Sequence, residues 1–344
     1  MDNHTSAGSP YPIQEPAFQR TLLHDLQGWR PVVPPPRLRF QHRWRRHIFW
    51  LVLTLATTTL TGGCHFASFA SDFSRRPVDL DTAGFLLSGL WYSVTVLLIL
   101  GFHEMGHYLF CRKYNVDATL PYFIPFFPLL TGTLGAVIRI REAFPTRAAL
   151  FDIGVAGPIA GFMALIPALL LGLSLSQVTL APPPSDELLS LGEPLLLRWS
   201  AWLIFGTLPE GQTLNLHPMV LAAWFGMLAT ALNLLPFGQL DGGHITYATL
   251  GRWATPISLV TVLGAILMTV RSTSWAFVTL MMVVMLLVLG PRHPPVLYHE
   301  PRLGLGRTLV ALFALVMFVL CFTPTPIEPY DLIPRQPQTQ QASR

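Results

Sequence analysis

The sequence predicts an all-α polytopic membrane protein, with about six to seven transmembrane helices and a re-entrant loop or short β-hairpin near its candidate site. Two observations carry this prediction. Hydrophobic residues make up 51% of the 344 residues and charged residues only 12%, with a mean hydropathy of +0.48, whereas about a quarter of a soluble domain is charged. Several apolar runs also approach the length of about 20 residues that a helix needs to cross the hydrocarbon core.

Seven apolar runs account for the predicted spans, and the fifth and sixth of them are short. A further apolar segment, residues 198–208, is too short to cross, so we expect it at the membrane interface or inside a cavity. The seven runs are residues 47–63, 86–110, 150–176, 217–236, 255–271, 275–290 and 305–323.

The basic residues give the chain a predicted orientation. If the cluster Arg43, Arg45 and Arg46 is cytosolic, the alternation of seven spans places 16 of the 22 basic residues on that side and 6 on the other. This bias follows the positive-inside rule. The net charge of +4 is explained by the same bias, so no nucleic-acid partner is expected.

The chain divides into three predicted parts. Residues 1–45 are polar and proline-rich, and we expect a partly disordered cytosolic segment. Residues 46–323 form the transmembrane domain, and its core at about 86–250 carries the polar motifs. Residues 324–344 are a short C-terminal tail.

The first polar motif, His103-Glu104-Met105-Gly106-His107, interrupts the second apolar run and matches HExxH. Residues i and i+4 share a helix face, so the two imidazoles can reach one metal ion. Glu104 would then lie close enough to take a proton from a water molecule that the metal activates. The alternative is a chance match or a set of helix-packing polar groups. The cost of unpartnered polar groups in hydrocarbon weakens that alternative.

Asp241 is the candidate for the third protein ligand that a catalytic zinc requires. It lies in NLLPFGQLDGGH, residues 233–244, where the fourth apolar run ends. His107 is five residues before Arg112, which puts it about 7 to 8 Å from the cytosolic helix end at 1.5 Å per residue. The fourth run ends on the same predicted side, so Asp241 can meet His103 and His107. Taken alone, a solvated aspartate in a Pro-Gly loop would be the favoured interpretation.

Residues 120–141 are apolar and aromatic, but Pro121, Pro125 and Pro128 prevent a straight helix. Residues 133–141 become β-prone and end in alternation, which predicts a re-entrant loop or short hairpin beside the motif. The edge of such a strand could hold an unwound peptide by β-augmentation. The alternative is a structural plug that never contacts a substrate.

Three motifs follow one another along the chain: HEMGH at 103–107, Gly157-Pro158-Ile159-Ala160-Gly161, and Asn233-x-x-Pro236 with Leu240-Asp241-Gly242-Gly243. In this order and spacing they resemble the site-2 proteases (peptidase family M50), zinc metalloproteases that cut peptide bonds within membranes. The resemblance covers about residues 86–250. It implies that one Zn²⁺ per chain is held by His103, His107 and Asp241. It also implies that Glu104 is the catalytic base and that Asn233 lies beside the metal, where its amide could orient substrate or stabilise an oxyanion.

The resemblance further implies a zinc metalloendopeptidase that acts in regulated intramembrane proteolysis. Its substrates would be transmembrane segments of membrane proteins in the lipid bilayer, single-span proteins above all. Some family members carry a PDZ or CBS domain; the loops and tail here are short, so a form without either domain is expected. We expect a multi-pass protein of the bacterial inner membrane, with a plastid membrane as the alternative and the active site near the cytosolic side.

Two other functions stay open on the sequence. One is a catalytically silent membrane scaffold or chaperone of the same fold, although every expected catalytic position is occupied. The other is a metal transporter that uses the same ligands, although the chain shows no internal repeat of the kind that transporters often contain.

Overall fold

The computed structural model describes residues 39–126, 131–182, 189–290, 296–298 and 303–329. The described elements belong to one compact unit that begins at Phe40. Most of the predicted N-terminal segment and of the predicted C-terminal tail lies outside the described residues.

Helices dominate the part of the chain that the structure describes. Single 3-10 turns, Gly251–Trp253 and Thr273–Trp275, lead into the seventh and eighth helices. The helices are α1 (Trp44–Ala70), α2 (Thr82–Lys113), α3 (Arg147–Ser174), α4 (Leu195–Phe205), α5 (Pro218–Asn233), α6 (Asp241–Leu250), α7 (Ala254–Arg271), α8 (Ala276–Leu289) and α9 (Leu305–Cys321).

Four helical stretches among the described residues are long and apolar enough to cross a membrane. They are α1, α2, α3 and the continuous stretch Asp241–Arg271, which joins α6 to α7. The helices α4, α5, α8 and α9 are apolar but shorter, at 10–17 residues. Each predicted run coincides with a helix, and 198–208 overlaps α4. The count of six to seven spans stays a prediction, because the length criterion is met four times.

Among the described residues, three antiparallel strand pairs accompany the helices, and all of them are short. The strands β1 (Tyr122–Pro125) and β2 (Thr133–Val137) form a hairpin, which is one of the two forms predicted for residues 120–141; residues 127–130 lie outside the described part. The other pairs, which the sequence did not predict, are β3 (Gln177–Leu180) with β5 (Gln212–Asn215), and β4 (Leu189–Leu191) with β6 (Ile327–Pro329).

The hairpin continues beyond its two strands toward the end of α2. Ala118 and Ile140 form an antiparallel bridge, and the Thr119 N–H donates to the Arg139 carbonyl at 3.0 Å. We call residues 117–126 and 131–141 together the ribbon. The ribbon begins where α2 ends, because Asn115 takes a left-handed conformation with φ of 56°, which asparagine tolerates better than most residues.

The core lies where α2, α3 and α5 pack against one another, with α9 at its side. Fully buried side chains from these helices include Tyr92, Leu165, Trp224 and Met317. A Cβ atom at Gly106 would lie 2.4 Å from the Ala156 carbonyl oxygen. The absence of a side chain at Gly106 therefore lets α2 cross close to α3 at the HExxH turn. Large apolar side chains remain exposed on the outer faces of the helices, as expected of a surface that meets lipid.

Candidate active site

The polar residues of the HExxH turn are buried although they are ionisable. His103 is 6% exposed, Glu104 8% and His107 7%, and all three lie in the C-terminal half of α2. Asp241 reaches them from a separate element. The sequence suggested a loop for Asp241, but the structure makes it the first residue of α6. Helix α5 ends at Asn233, and a short connection turns the chain so that α6 begins at the site.

The two histidines and the aspartate converge on one point. His103 Nε2 lies 3.2 Å from Asp241 Oδ2, and His107 Nε2 lies 3.2 Å from Asp241 Oδ1. The two Nε2 atoms are also 3.2 Å apart. The structure thus brings together the three residues that the sequence proposed as ligands, as a group that could hold a metal ion.

The spacing of these atoms fits a tetrahedral zinc ion. Ligands at about 2.0–2.1 Å from zinc in tetrahedral geometry are separated from one another by roughly 3.3 Å, close to the separations of 3.2 Å observed here. His107 Nδ1 donates to the Ile153 carbonyl at 2.7 Å. In a neutral ring the lone pair of Nε2 then faces Asp241, and a cation between these two acceptors would satisfy both. Such an outer hydrogen bond is also what fixes the tautomer of metal-binding histidines.

Two glycines of α3 make room for the histidine rings. A Cβ atom at Gly157 would lie 2.0 Å from His107 Nε2, and one at Gly161 would lie 3.1 Å from the Cβ atom of His103. The structure shows that these two glycines pack against the proposed ligands themselves.

Glu104 contacts the ribbon. Its Oε2 atom accepts a hydrogen bond from the Ile138 N–H at 2.9 Å. Ile138 directly follows β2, so the backbone of the ribbon holds the carboxylate in place. Glu104 also lines the neighbouring cavity.

Asn233 lies beside the same group, as the resemblance implied. Its Nδ2 atom is 3.3 Å from His103 Nε2, and its side chain also lines the cavity. The placement follows from the end of α5, since Asn233 is the last residue of that helix.

A cavity of about 560 Å³ opens in front of these residues, which is within the usual size range of ligand pockets. One wall is the ribbon and the following turn, and the opposite wall comes from α3 and the start of α6. The lining residues are His103, Glu104, His107, Ala136, Val137, Ile138, Arg139, Ile140, Glu142, Ala143, Phe144, Ile153, Gly154, Asn233, Gln239, Leu240, Asp241 and His244.

The sequence does not indicate two backbone groups of the site, the Ile138 N–H and the Ile153 carbonyl. No residue type marks them, although the alternation in 133–141 indicated a strand near the motif. His244 lines the cavity without joining the group of three. His217 lies away from the cavity, where its side chain accepts from the Met219 N–H and caps α5.

Comparisons with known proteins place the chain in a family. Residues 91–271 match the family described as Peptidase family M50. A probable chloroplastic zinc metalloprotease, EGY2, of Oryza sativa subsp. indica is 37% identical over 179 residues, which is 50% of this chain and 31% of that protein. EGY2 of Arabidopsis thaliana is 35% identical over the same length and shares. EGY1 of Arabidopsis thaliana is 34% identical over 192 residues, 54% of this chain and 34% of that protein. The chain thus aligns with about a third of the length of these relatives.

Proposed function

Because the chain belongs to peptidase family M50, the site-2 protease family, we propose that it is a zinc-dependent intramembrane endopeptidase. The observation that carries the proposal is the convergence of His103, His107 and Asp241 at separations of 3.2 Å, with Glu104 beside them on a cavity. The zinc metalloprotease names of the relatives support the same metal and reaction class.

In this proposal His103, His107 and Asp241 hold the metal. When bound, zinc would polarise the scissile carbonyl and lower the pKa of a water molecule to about 7. Glu104 would take a proton from the attacking water on its carboxylate and deliver it to the leaving amine. The Asn233 amide would donate a hydrogen bond to the oxygen on which negative charge develops.

The cavity and the helices support substrates that come from the membrane. A transmembrane helix must unwind before its backbone can reach Glu104, and an unwound segment needs new partners for its N–H and C=O groups. The ribbon offers those partners along the edge that lines the cavity. We therefore propose that single-span membrane proteins bind there as an added strand. The structural plug stays the alternative for this ribbon.

The location is also a proposal. The names of the relatives place those proteins in chloroplasts, which favours a plastid membrane, the alternative raised from the sequence. The bacterial inner membrane, and an active site near the cytosolic side, stay predictions.

The test uses purified protein with zinc, as wild type and as Glu104→Gln. A single-span protein tagged at both ends is reconstituted with each form in lipid vesicles, and labelled β-casein serves as a substrate without a stable fold. We expect the wild type to cut both, with a cut inside the span located by mass spectrometry. Glu104→Gln should keep its zinc and lose about 10² to 10⁴ in rate, the contribution of a general base.

The other outcomes identify the competing functions. Equal cleavage by Glu104→Gln and wild type would contradict the proposal. Cleavage of casein alone would leave a metalloprotease without intramembrane activity. No cleavage, combined with zinc flux into vesicles that both forms support, would indicate a transporter.

A further inference from the structure

Asp117 is a buried carboxylate to which the proposed reaction gives no role. The residue is 4% exposed and lies just beyond α2, at the open end of the ribbon. It is not part of the group formed by His103, His107 and Asp241. A buried charge is costly unless it is paired and hydrogen-bonded, so its contacts indicate what it does.

The Asp117 carboxylate, at the start of the ribbon, bonds to the segment before α1 and to the last residue of the ribbon. Its Oδ1 atom accepts from the Phe40 N–H at 2.7 Å, in the segment just before α1. Its Oδ2 atom accepts from the Arg141 guanidinium at 3.2 Å. The Arg141 N–H donates in turn to the Asp117 carbonyl at 2.9 Å. Asp117 therefore fixes the end of the second strand of the ribbon by both its side chain and its backbone.

The same residue contacts the mouth of the cavity. The Asp117 N–H donates to Glu142 Oε2 at 3.2 Å, and Glu142 is one of the lining residues. One step further along the ribbon, the Arg139 N–H donates to Thr119 Oγ1 at 2.9 Å. Together with the Thr119–Arg139 backbone bond, these contacts hold the strand in register between Arg141 and Ile138.

The other end of the ribbon, at Thr131 and Gly132, is held separately by α1 and α2. Thr57 Oγ1 donates to the Gly132 carbonyl at 2.8 Å, and the Tyr92 hydroxyl donates to the Thr131 carbonyl at 2.8 Å. The ribbon is thus fixed at both ends, and the Ile138 N–H meets Glu104 between them.

The alternation of the strand defines its cavity-facing edge. The backbone groups of Arg139 and Arg141 bond to the first strand of the ribbon. Because the backbone N–H and C=O groups of alternate residues point to opposite edges, those of Ile138 and Ile140 face the other way. The Ile138 N–H does so toward Glu104. Both residues line the cavity.

We propose that Asp117 is a positioning residue for peptide hydrolysis, which aligns the cavity-facing edge at Ile138 and Ile140 with Glu104. This inference rests on the proposed function, in which an unwound substrate adds to that edge. Without the contacts of Asp117, the substrate backbone would be held at a different distance from Glu104. A misplacement of about 1 Å can reduce a rate by about 10²-fold.

The chain offers a matched control at its other side. Asp72 is 7% exposed, its Oδ2 atom accepts from the Thr179 hydroxyl at 3.0 Å, and Arg75 NH1 lies 3.8 Å from that oxygen. Asp72 follows α1 and does not line the cavity. Asp117→Asn and Asp72→Asn therefore each remove a buried charge that has one arginine neighbour.

The first readout does not depend on activity. Amide hydrogen exchange of the full chain without substrate is followed by mass spectrometry in peptides that cover residues 133–144. We expect faster exchange in this region for Asp117→Asn and wild-type exchange for Asp72→Asn. The second readout is cleavage of labelled β-casein. Asp117→Asn should raise KM and lower kcat, so that kcat/KM falls about tenfold to hundredfold, while Asp72→Asn keeps both values. Asp117→Glu, which retains the charge, should recover part of the loss.

Wild-type exchange and kinetics in Asp117→Asn would overturn the inference, and so would equal changes in Asp72→Asn. If Asp117→Asn does not fold, Arg141→Gln removes the same ion pair from its more exposed partner and carries the same expectation. Failure of the proposed function gives a different result, because wild type and Glu104→Gln would then show equal cleavage of labelled β-casein. The exchange measurement would still decide whether Asp117 holds the edge.

Discussion

The two ends of the helix bundle use buried histidines in different ways. At the cavity, His103 and His107 each direct Nε2 at a carboxylate oxygen 3.2 Å away. At the opposite end, His217 accepts from the Met219 N–H and packs edge-on against aromatic rings, with centroids 5.2 Å from Phe69 and 5.4 Å from Trp91. A buried histidine is therefore no indication of chemistry by itself. The convergence of several polar atoms on one point is the feature that distinguishes the site.

Two other polar side chains at the opposite end, those of Asn215 and Trp224, also bond to the backbone. Asn215 Nδ2 donates to the Phe69 carbonyl at 2.8 Å, and Trp224 Nε1 donates to the Gly192 carbonyl at 2.7 Å. These bonds fasten loops to helices. At the cavity, the backbone groups of Ile138 and Ile153 hold Glu104 and His107, and both of these side chains also line the cavity. Substitutions should therefore change metal binding and rate at the cavity, and stability at the opposite end.

Gly157→Ala tests this contrast with the largest expected effect. The new Cβ atom would lie 2.0 Å from His107 Nε2, so the imidazole must leave its place. We expect the loss of bound zinc and of cleavage, with a stability cost of about 1–3 kcal/mol for overpacking. Elemental analysis measures the bound zinc, and the casein assay measures cleavage.

The matched control is Gly264→Ala in α7, where a Cβ atom meets nothing within 4 Å. It should keep zinc and activity. Retention of zinc and full activity by Gly157→Ala would mean that the position of His107 does not matter to the site.

A second test compares two asparagines that lie at opposite ends. Asn233→Ala should lower kcat by about 10² to 10³, the cost of removing one oxyanion donor, and should leave zinc bound. Asn215→Ala should leave kcat unchanged and lower the unfolding temperature, because the Phe69 carbonyl loses the hydrogen bond from the Asn215 amide. Equal kcat values for the two variants would remove Asn233 from the proposed machinery.

The smallest expected effect belongs to Trp224→Phe. Trp224 is fully buried, and its loss leaves the Gly192 carbonyl without the indole donor. We expect the free energy of unfolding to fall by about 1–3 kcal/mol, as measured by thermal unfolding in detergent. Steady-state kinetics serve as the control. A fall in kcat/KM at unchanged stability would show that the two ends are not independent.

The sequence alone predicted the part of the site that side chains specify. The i, i+4 spacing placed His103 and His107 on one face, and the depth of the two helix ends brought Asp241 to them. The three prolines and the alternation in 120–141 predicted a re-entrant loop or a short hairpin, and the structure has the hairpin. Each of these inferences used a residue type whose physical preference is strong and local.

The remainder depended on tertiary contacts that leave no local signature. The Ile138 N–H and the Ile153 carbonyl are backbone groups that every residue except proline possesses, so only the packing of the ribbon and α3 selects them. The sequence did not predict that α6 begins at Asp241, because Gly242 and Gly243 favour a loop. The pairs β3–β5 and β4–β6 join segments far apart in the chain, and their strands are too short to show a period.

The most direct test of the account is the zinc content of the detergent-purified protein. It should be measured by elemental analysis for the wild type, for Asp241→Ala and for His217→Ala. We predict about one zinc per chain in the wild type, as for a site with three protein ligands. Asp241→Ala should lose most of it, whereas His217→Ala should retain it at reduced stability. A wild type without zinc, which regains none when zinc is added, would contradict the account, and so would an Asp241→Ala variant that binds zinc like the wild type.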